Sequence, residues 1–162
     1  MAGSLEFIKS ASGTSVSSLS VTDCFSADYD VYKIVFEADR DADQANRLTF
    51  LDSGGSEVTS ALYDYAVLQL TMNTNFSERI GANDANILWL MYGQNGNSAV
   101  IYIYNPYNSS SYSFLNFQGT TDQLRGWKGI GVLKQSATHS GLKITNNTGT
   151  YDSISLKIFG VK

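Results

Sequence analysis

The chain has 162 residues, 43% of them hydrophobic, which sets the expectation of a single domain over residues 1–162 that buries about two thirds of its unfolded surface. Charged residues are scarce at 16%, the net charge is −4 and no basic cluster occurs, which argues against a nucleic-acid partner held through its phosphates. One Cys excludes an internal disulfide, no apolar run is long enough for a membrane-inserted helix, and the start Met1-Ala2-Gly3-Ser4-Leu5-Glu6 lacks a leader pattern, so synthesis in a cytoplasm is expected.

Residues 5–9 form the first predicted strand, and the Ser-rich stretch 10–20 follows, anchored by Val16, Leu19 and Val21. Together the first 22 residues read as an edge strand or as an extended arm that docks elsewhere. After a short turn to Tyr29, residues 31–38 alternate strictly, which predicts a strand with Tyr32, Ile34, Phe36 and Ala38 in the core. Residues 39–46 read as a polar connection, 48–51 as a partner strand, and Asp52-Ser53-Gly54-Gly55-Ser56 as a turn. Residues 63–68 fit strand or helix equally well. Residues 73–86 read as a long polar loop with a buried-looking Ile80.

Strands at 87–91 and 100–104 are expected to form a hairpin across Asn95-Gly96, the strongest turn signal in the chain. Asn105-Pro106-Tyr107-Asn108 opens a surface turn, and further strands are expected at 112–117, 129–136, 141–145 and 154–161. Eight to ten short strands and no long helix point to an all-β antiparallel sandwich, jelly-roll-like.

Reactive side chains are few, and each has a plain structural reading. His139 is the only imidazole; no Gly-x-Ser-x-Gly elbow exists to present a nucleophile to it, so it reads as a solvent-facing loop residue. Cys24 beside Phe25 reads as a small buried hydrophobe. Asp39, Asp41 and Asp43 start like a calcium loop, but Gln44 and Phe50 stand where that loop needs Gly and Glu. The glycines around Trp127 have no following helix pattern to cradle a phosphate and read as places of bulge or close backbone approach. The sequons at Asn75, Asn108 and Asn146 read as products of composition. No catalytic residue, metal site or cofactor is predicted.

Three groups of segments carry a family resemblance. They are Val21-Thr22-Asp23-Cys24-Phe25 running on to Tyr32-Lys33-Ile34-Val35; Ile103-Tyr104-Asn105-Pro106-Tyr107-Asn108; and Gly141-Leu142-Lys143-Ile144-Thr145 with Leu156-Lys157-Ile158-Phe159-Gly160. The chain in these segments resembles small β-sandwich virion structural proteins of tailed bacteriophages, of the marine and cyanobacterial type. The resemblance implies a non-enzymatic virion protein, a jelly-roll-like module that is often a homotrimer and contacts the major capsid protein or tail proteins. Without a heptad shaft or collagen-like repeat, an outer-capsid decoration protein that cements capsid subunits is the first expectation. A tail or fibre protein that binds a host-surface glycan or protein is the alternative. The partner-binding residues expected are Asn105, Pro106, Tyr107, Asn108 and Tyr112, because Tyr, Ser and Asn suit adaptable recognition loops.

Overall fold

A computed structural model describes residues 4–40, 42–72 and 75–162. They form β1 (Leu5–Val16), β2 (Ser18–Val21), β3 (Val31–Arg40), β4 (Gln44–Asp52), β5 (Tyr63–Leu70), β6 (Phe76–Asp84), β7 (Ile87–Gly93), β8 (Asn97–Tyr104), β9 (Ser113–Thr121), β10 (Arg125–Leu133), β11 (His139–Asn146) and β12 (Tyr151–Val161). No helix occurs among the described residues.

An eight-stranded sheet in the order β1-β12-β3-β8-β9-β10-β5-β6 packs on a four-stranded sheet in the order β2-β11-β4-β7, and every pairing is antiparallel. Four ribbons, β1–β2, β3–β4, β7–β8 and β11–β12, each cross from one sheet to the other. Setting aside the β5–β6 and β9–β10 hairpins leaves β1-β12-β3-β8 over β2-β11-β4-β7, which is the strand order of a jelly roll. Both hairpins extend the same sheet beyond β8, so the larger layer overhangs the smaller.

Alternation places the core between the layers. Tyr32, Ile34, Phe36 and Ala38 of β3 face it, as the sequence predicts. Ile101 and Ile103 of β8, Leu115 and Phe117 of β9, and Leu156 and Ile158 of β12 join them. Phe50, Leu48, Leu142 and Ile144 of the smaller sheet close the core from the other side. Under the overhang, Trp127 of β10 is 1% exposed and stacks on Trp89 of β7 at 6.3 Å. Gly129 and Gly131 face inward where any side chain would strike Phe117 or Ile87. Those two glycines serve close approach rather than a bulge, since β10 keeps an unbroken register on both sides.

Several expectations need correction. The described residues form twelve strands rather than eight to ten. Of the two readings of the first 22 residues the edge strand holds: segment 10–20 completes β1 at one rim of the larger sheet and supplies β2 at the rim of the smaller. Residues 39–46 are mostly strand, because β3 runs to Arg40 and β4 starts at Gln44; Asp41 lies outside the described residues. The ambiguous segment at 63 is the strand β5. Of the stretch 73–86, residues 73 and 74 lie outside the described residues, and most of the rest is β6 rather than loop. Its Ile80 is 79% exposed. β7 and β8 do not pair with each other: β7 binds β4 and β8 lies between β3 and β9, so Asn95-Gly96 turns the chain between layers. The turn is held there by Gly96 N–H donating to Asp39 Oδ1 at 2.7 Å and Arg40 N–H to the Gln94 carbonyl at 2.9 Å.

Candidate functional site

His139 and Cys24, the imidazole and thiol singled out in the sequence, are buried inside the sandwich. His139 is fully buried in β11, not solvent-facing; its ring lies 5.2 Å from Phe50, and Nδ1 sits 3.2 Å from both Ser113 Oγ and the Pro106 carbonyl. Burial holds its pKa below the ordinary imidazole value, against the opposing pull of the Pro106 hydrogen bond. Ser113 is equally buried, so this Ser–His pair has no route to a substrate. Cys24 is buried, with its thiol pushed up to about 12 by desolvation. Asp39 caps the 95–97 turn and Asp43 pairs with Arg125 at 3.4 Å. Among the described residues, no group of three or more His, Cys, Asp or Glu could hold a metal ion.

Arg40 is a buried cation that sequence patterning does not reveal. It is fully buried at the end of β3, where its guanidinium donates to Asn97 Oδ1 at 3.0 Å, to the Gln44 carbonyl and to Asn146 Oδ1 at 3.4 Å. Its planar face lies 5.8 Å from the Tyr151 ring centre, and the Tyr151 hydroxyl donates to Asn46. Amides thus take the place of a counter-ion and tie β3, β4, β8 and β11 at one end of the sandwich.

The loop predicted to meet a partner divides into two parts. Asn105 adopts φ 55 and donates its N–H to the Asp30 carbonyl at 2.8 Å, and buried Pro106 accepts the His139 N–H at 2.8 Å. Both anchor the turn; Pro106 is buried, whereas Asn105 is half-buried and lines the hollow beside Tyr107. Tyr107, Asn108 and Tyr112 are exposed, and the Asn108 side chain accepts the Ser110 N–H at 2.9 Å. A shallow polar hollow of about 270 Å³ lies between Tyr107, Asn108 and the turn at Tyr29 and Asp30.

A larger feature lies on the outer face of the eight-stranded sheet, away from the smaller layer. Register sets its side chains in rows across six strands. One runs Lys33–Tyr102–Asn116–Ile130–Ala66–Ile80, and the next Val35–Val100–Gln118–Lys128–Leu68–Glu78. A third continues through Ser98 and Thr120 to Leu70 and Phe76. Polar groups and tyrosines dominate towards β3 and β8, whereas Ile130, Ile80, Phe76, Leu68, Leu70 and Phe114 make the β9–β6 half apolar and solvent-facing.

Three grooves of about 730, 580 and 430 Å³ lie along this face, and Ile130 lines all three. The first is floored by Tyr102, Asn116 and Gln118, and the last by Ala66, Leu68 and Ile80. Sequence reasoning missed this face. Its β8 part carries only a partial signal, since Val100, Tyr102 and Tyr104 alternate with the buried Ala99, Ile101 and Ile103 and leave no strongly polar face.

No family model and no curated protein matches the sequence. Among solved structures, the chain is similar to an endo-β-1,4-glucuronan lyase from the fungus Trichoderma reesei at 8% identity, covering 99% of this chain and 86% of that one, with a TM-score of 0.31. It is also similar to the Clostridium perfringens CspB protease at 10% identity, covering 96% of this chain and 26% of that one, with a TM-score of 0.21. Likeness at these levels transfers no activity to this chain.

Proposed function

We propose that this chain is a non-enzymatic structural protein of a phage particle, an outer-capsid decoration protein that binds across capsid subunits. The observation that carries the reading is the unpartnered apolar half of the outer face. A soluble monomer gains nothing from leaving Ile130, Ile80 and Phe76 mostly in water, and contiguous exposed apolar surface of this kind marks a docking site. The jelly-roll order and the resemblance to virion proteins support a partner on the virion. A protein that binds only the assembled shell stabilises that shell by mass action.

The test strips the protein from particles and adds it back as wild type or as Ile130→Glu. Wild type is expected to raise the particle melting temperature and genome retention, and the variant to bind weakly while melting normally in isolation. Particles that melt identically with and without the protein would refute the cement role.

A second reading, a tail or fibre protein that binds a host-surface glycan, is favoured by one feature. Tyr102 with Asn116 and Gln118 offers an aromatic platform beside amide donors and acceptors. Purified protein would then bind host-surface polysaccharide, and Tyr102→Ala would abolish that binding.

A further inference from the structure

At the open end of the β5–β6 hairpin an amine, a carboxamide and a carboxylate meet. The register of β6 against β5 shifts between Gly81 and Asp84, and Asn83 stands in that irregularity at φ 57. Its N–H donates to Asp64 Oδ1 of β5 at 2.8 Å, which fixes the backbone there. Asn is tolerated in the left-handed region, so the turn alone accounts for the residue type. It does not account for the direction of the side chain, whose carboxamide oxygen accepts from Lys134 Nζ at 2.7 Å. Lys134 Nζ also lies 2.8 Å from Asp64 Oδ1. The Lys134 N–H donates to the Leu62 carbonyl at 3.0 Å, one step past the β10–β5 ladder, so the base of the side chain is held as well. Among the described residues, Lys134 is the one ion-paired cation that also donates to a side-chain amide.

These three groups are the parts of an amide-forming reaction. With a carbonyl bond of about 1.2 Å and an ordinary angle at the oxygen, Nζ lies about 3.5 Å from Asn83 Cγ, the separation of a near-attack pair. An amine held at that distance acts at an effective concentration far above any that free reactants reach. It must first lose a proton, and the Asp64 carboxylate in contact with it is the group placed to take one. The Lys134 and Asp64 side chains are 27% and 38% exposed, so a small leaving group has a path to solvent.

We propose that Lys134 and Asn83 join in an isopeptide bond, with Asp64 as the proton carrier. Lys134 Nζ passes one proton to Asp64 and attacks Asn83 Cγ, forming the Cγ–Nζ bond. Asp64 returns that proton to Nδ2 as the Cγ–Nδ2 bond breaks, and ammonia leaves. Nζ gives a second of its three protons to solvent and keeps the last as the amide N–H. Nothing is oxidised or reduced, and no co-reactant is needed. The bond passes over β5 and ties β6, whose one strand partner among the described residues is β5, to the end of β10. It is a property of the single chain and does not rest on the capsid reading.

The experiment is mass spectrometry of the full chain, as purified and after prolonged incubation. The wild type is expected to be lighter than its sequence by one ammonia, about 17 Da. A tryptic digest should give one branched peptide joining Lys134 to Asn83, with no cleavage after Lys134. Lys134→Arg keeps the positive charge beside Asp64 but removes the nucleophile, and should retain the full mass. Asp64→Ala leaves both reacting groups and should slow the link at least about a hundredfold. Both variants alter half-exposed side chains and should fold as wild type. Four results would overturn the proposal: a wild type of full mass, an ammonia loss that persists in Lys134→Arg, Asp64→Ala linked as fast as wild type, or a gain of about 1 Da at Asn83 from attack by water instead.

Discussion

Tyr63→Phe is the sharpest probe of how the two sheets are joined. Tyr63 is fully buried in β5, and its hydroxyl accepts the Phe50 N–H at 3.0 Å and donates to the Val58 carbonyl at 2.9 Å. Phe50 sits where β4 has outrun its partner β7, whose pairing ends at Leu48, so the phenol substitutes for a missing ladder bond. Removing one oxygen leaves the ring and its stacking on Phe50 at 6.5 Å in place. It strands one buried N–H and weakens the satisfaction of one carbonyl, together about 2–3 kcal/mol. For a chain of this size that lowers the melting temperature by about 5–10 °C. Denaturant unfolding should show a lower midpoint with an unchanged slope. Tyr104→Phe is the matched control, since its hydroxyl only accepts the Asn116 amide at 2.9 Å on the half-buried outer face. A loss below about 0.5 kcal/mol, or one equal to the control, would refute the bridging role.

The buried His139 makes stability depend on pH: the unfolded chain takes up a proton near 6.5 that the native state resists, so stability should fall as pH drops below about 6.5. His139→Gln should flatten that slope in melts from pH 7.5 to 5, and a steeper slope would contradict it. Cys24, with its thiol pushed up to about 12, should stay unlabelled by a thiol reagent at pH 8 until denaturant is added. Gly129→Ala puts a methyl 2.4 Å from the Phe117 ring and should cost about 1–3 kcal/mol, whereas Gly126→Ala, whose nearest neighbour is at 3.4 Å, should unfold almost as wild type.

The parts of the fold legible in the sequence are those where one face is buried and the other polar. β3 is the clearest: Glu37 and Lys33 on one side and Tyr32, Ile34 and Phe36 on the other leave one workable register. β6 was unreadable for the opposite reason. Its inward positions are Ser77, Arg79 and Gly81, and its apolar side chains point to water, so no local pattern distinguishes it from a loop. The turn at Asn95-Gly96 shows where the chain reverses but not which strands receive it; β8 finds β3 and β9 through long-range pairing. His139 lies among Ser, Thr and Gly, the composition of a loop, and only the alignment of β11 with β4 carries it beneath Phe50.

The exposed half of the outer face shows the same separation between what folding requires and what the sequence contains. The inner face of the overhang is well covered, since Trp89 and Tyr92 of β7 pack on Trp127, and Arg79 lies 4.9 Å from the Trp89 ring centre. On their inner face the β5–β6 and β9–β10 hairpins bring Tyr63, Leu115, Phe117 and Trp127 into the core. These hairpins add one covered face and one open face, and the open face carries Ile80, Phe76, Leu68, Ile130 and Phe114. Serine or threonine at these positions would keep the strands paired and remove the aggregation hazard of an apolar sheet surface. Folding of the single chain therefore gives no reason for those side chains. The docking surface proposed above would give one, whereas the burial of Pro106 and its hydrogen bond to His139 place that residue in the scaffold.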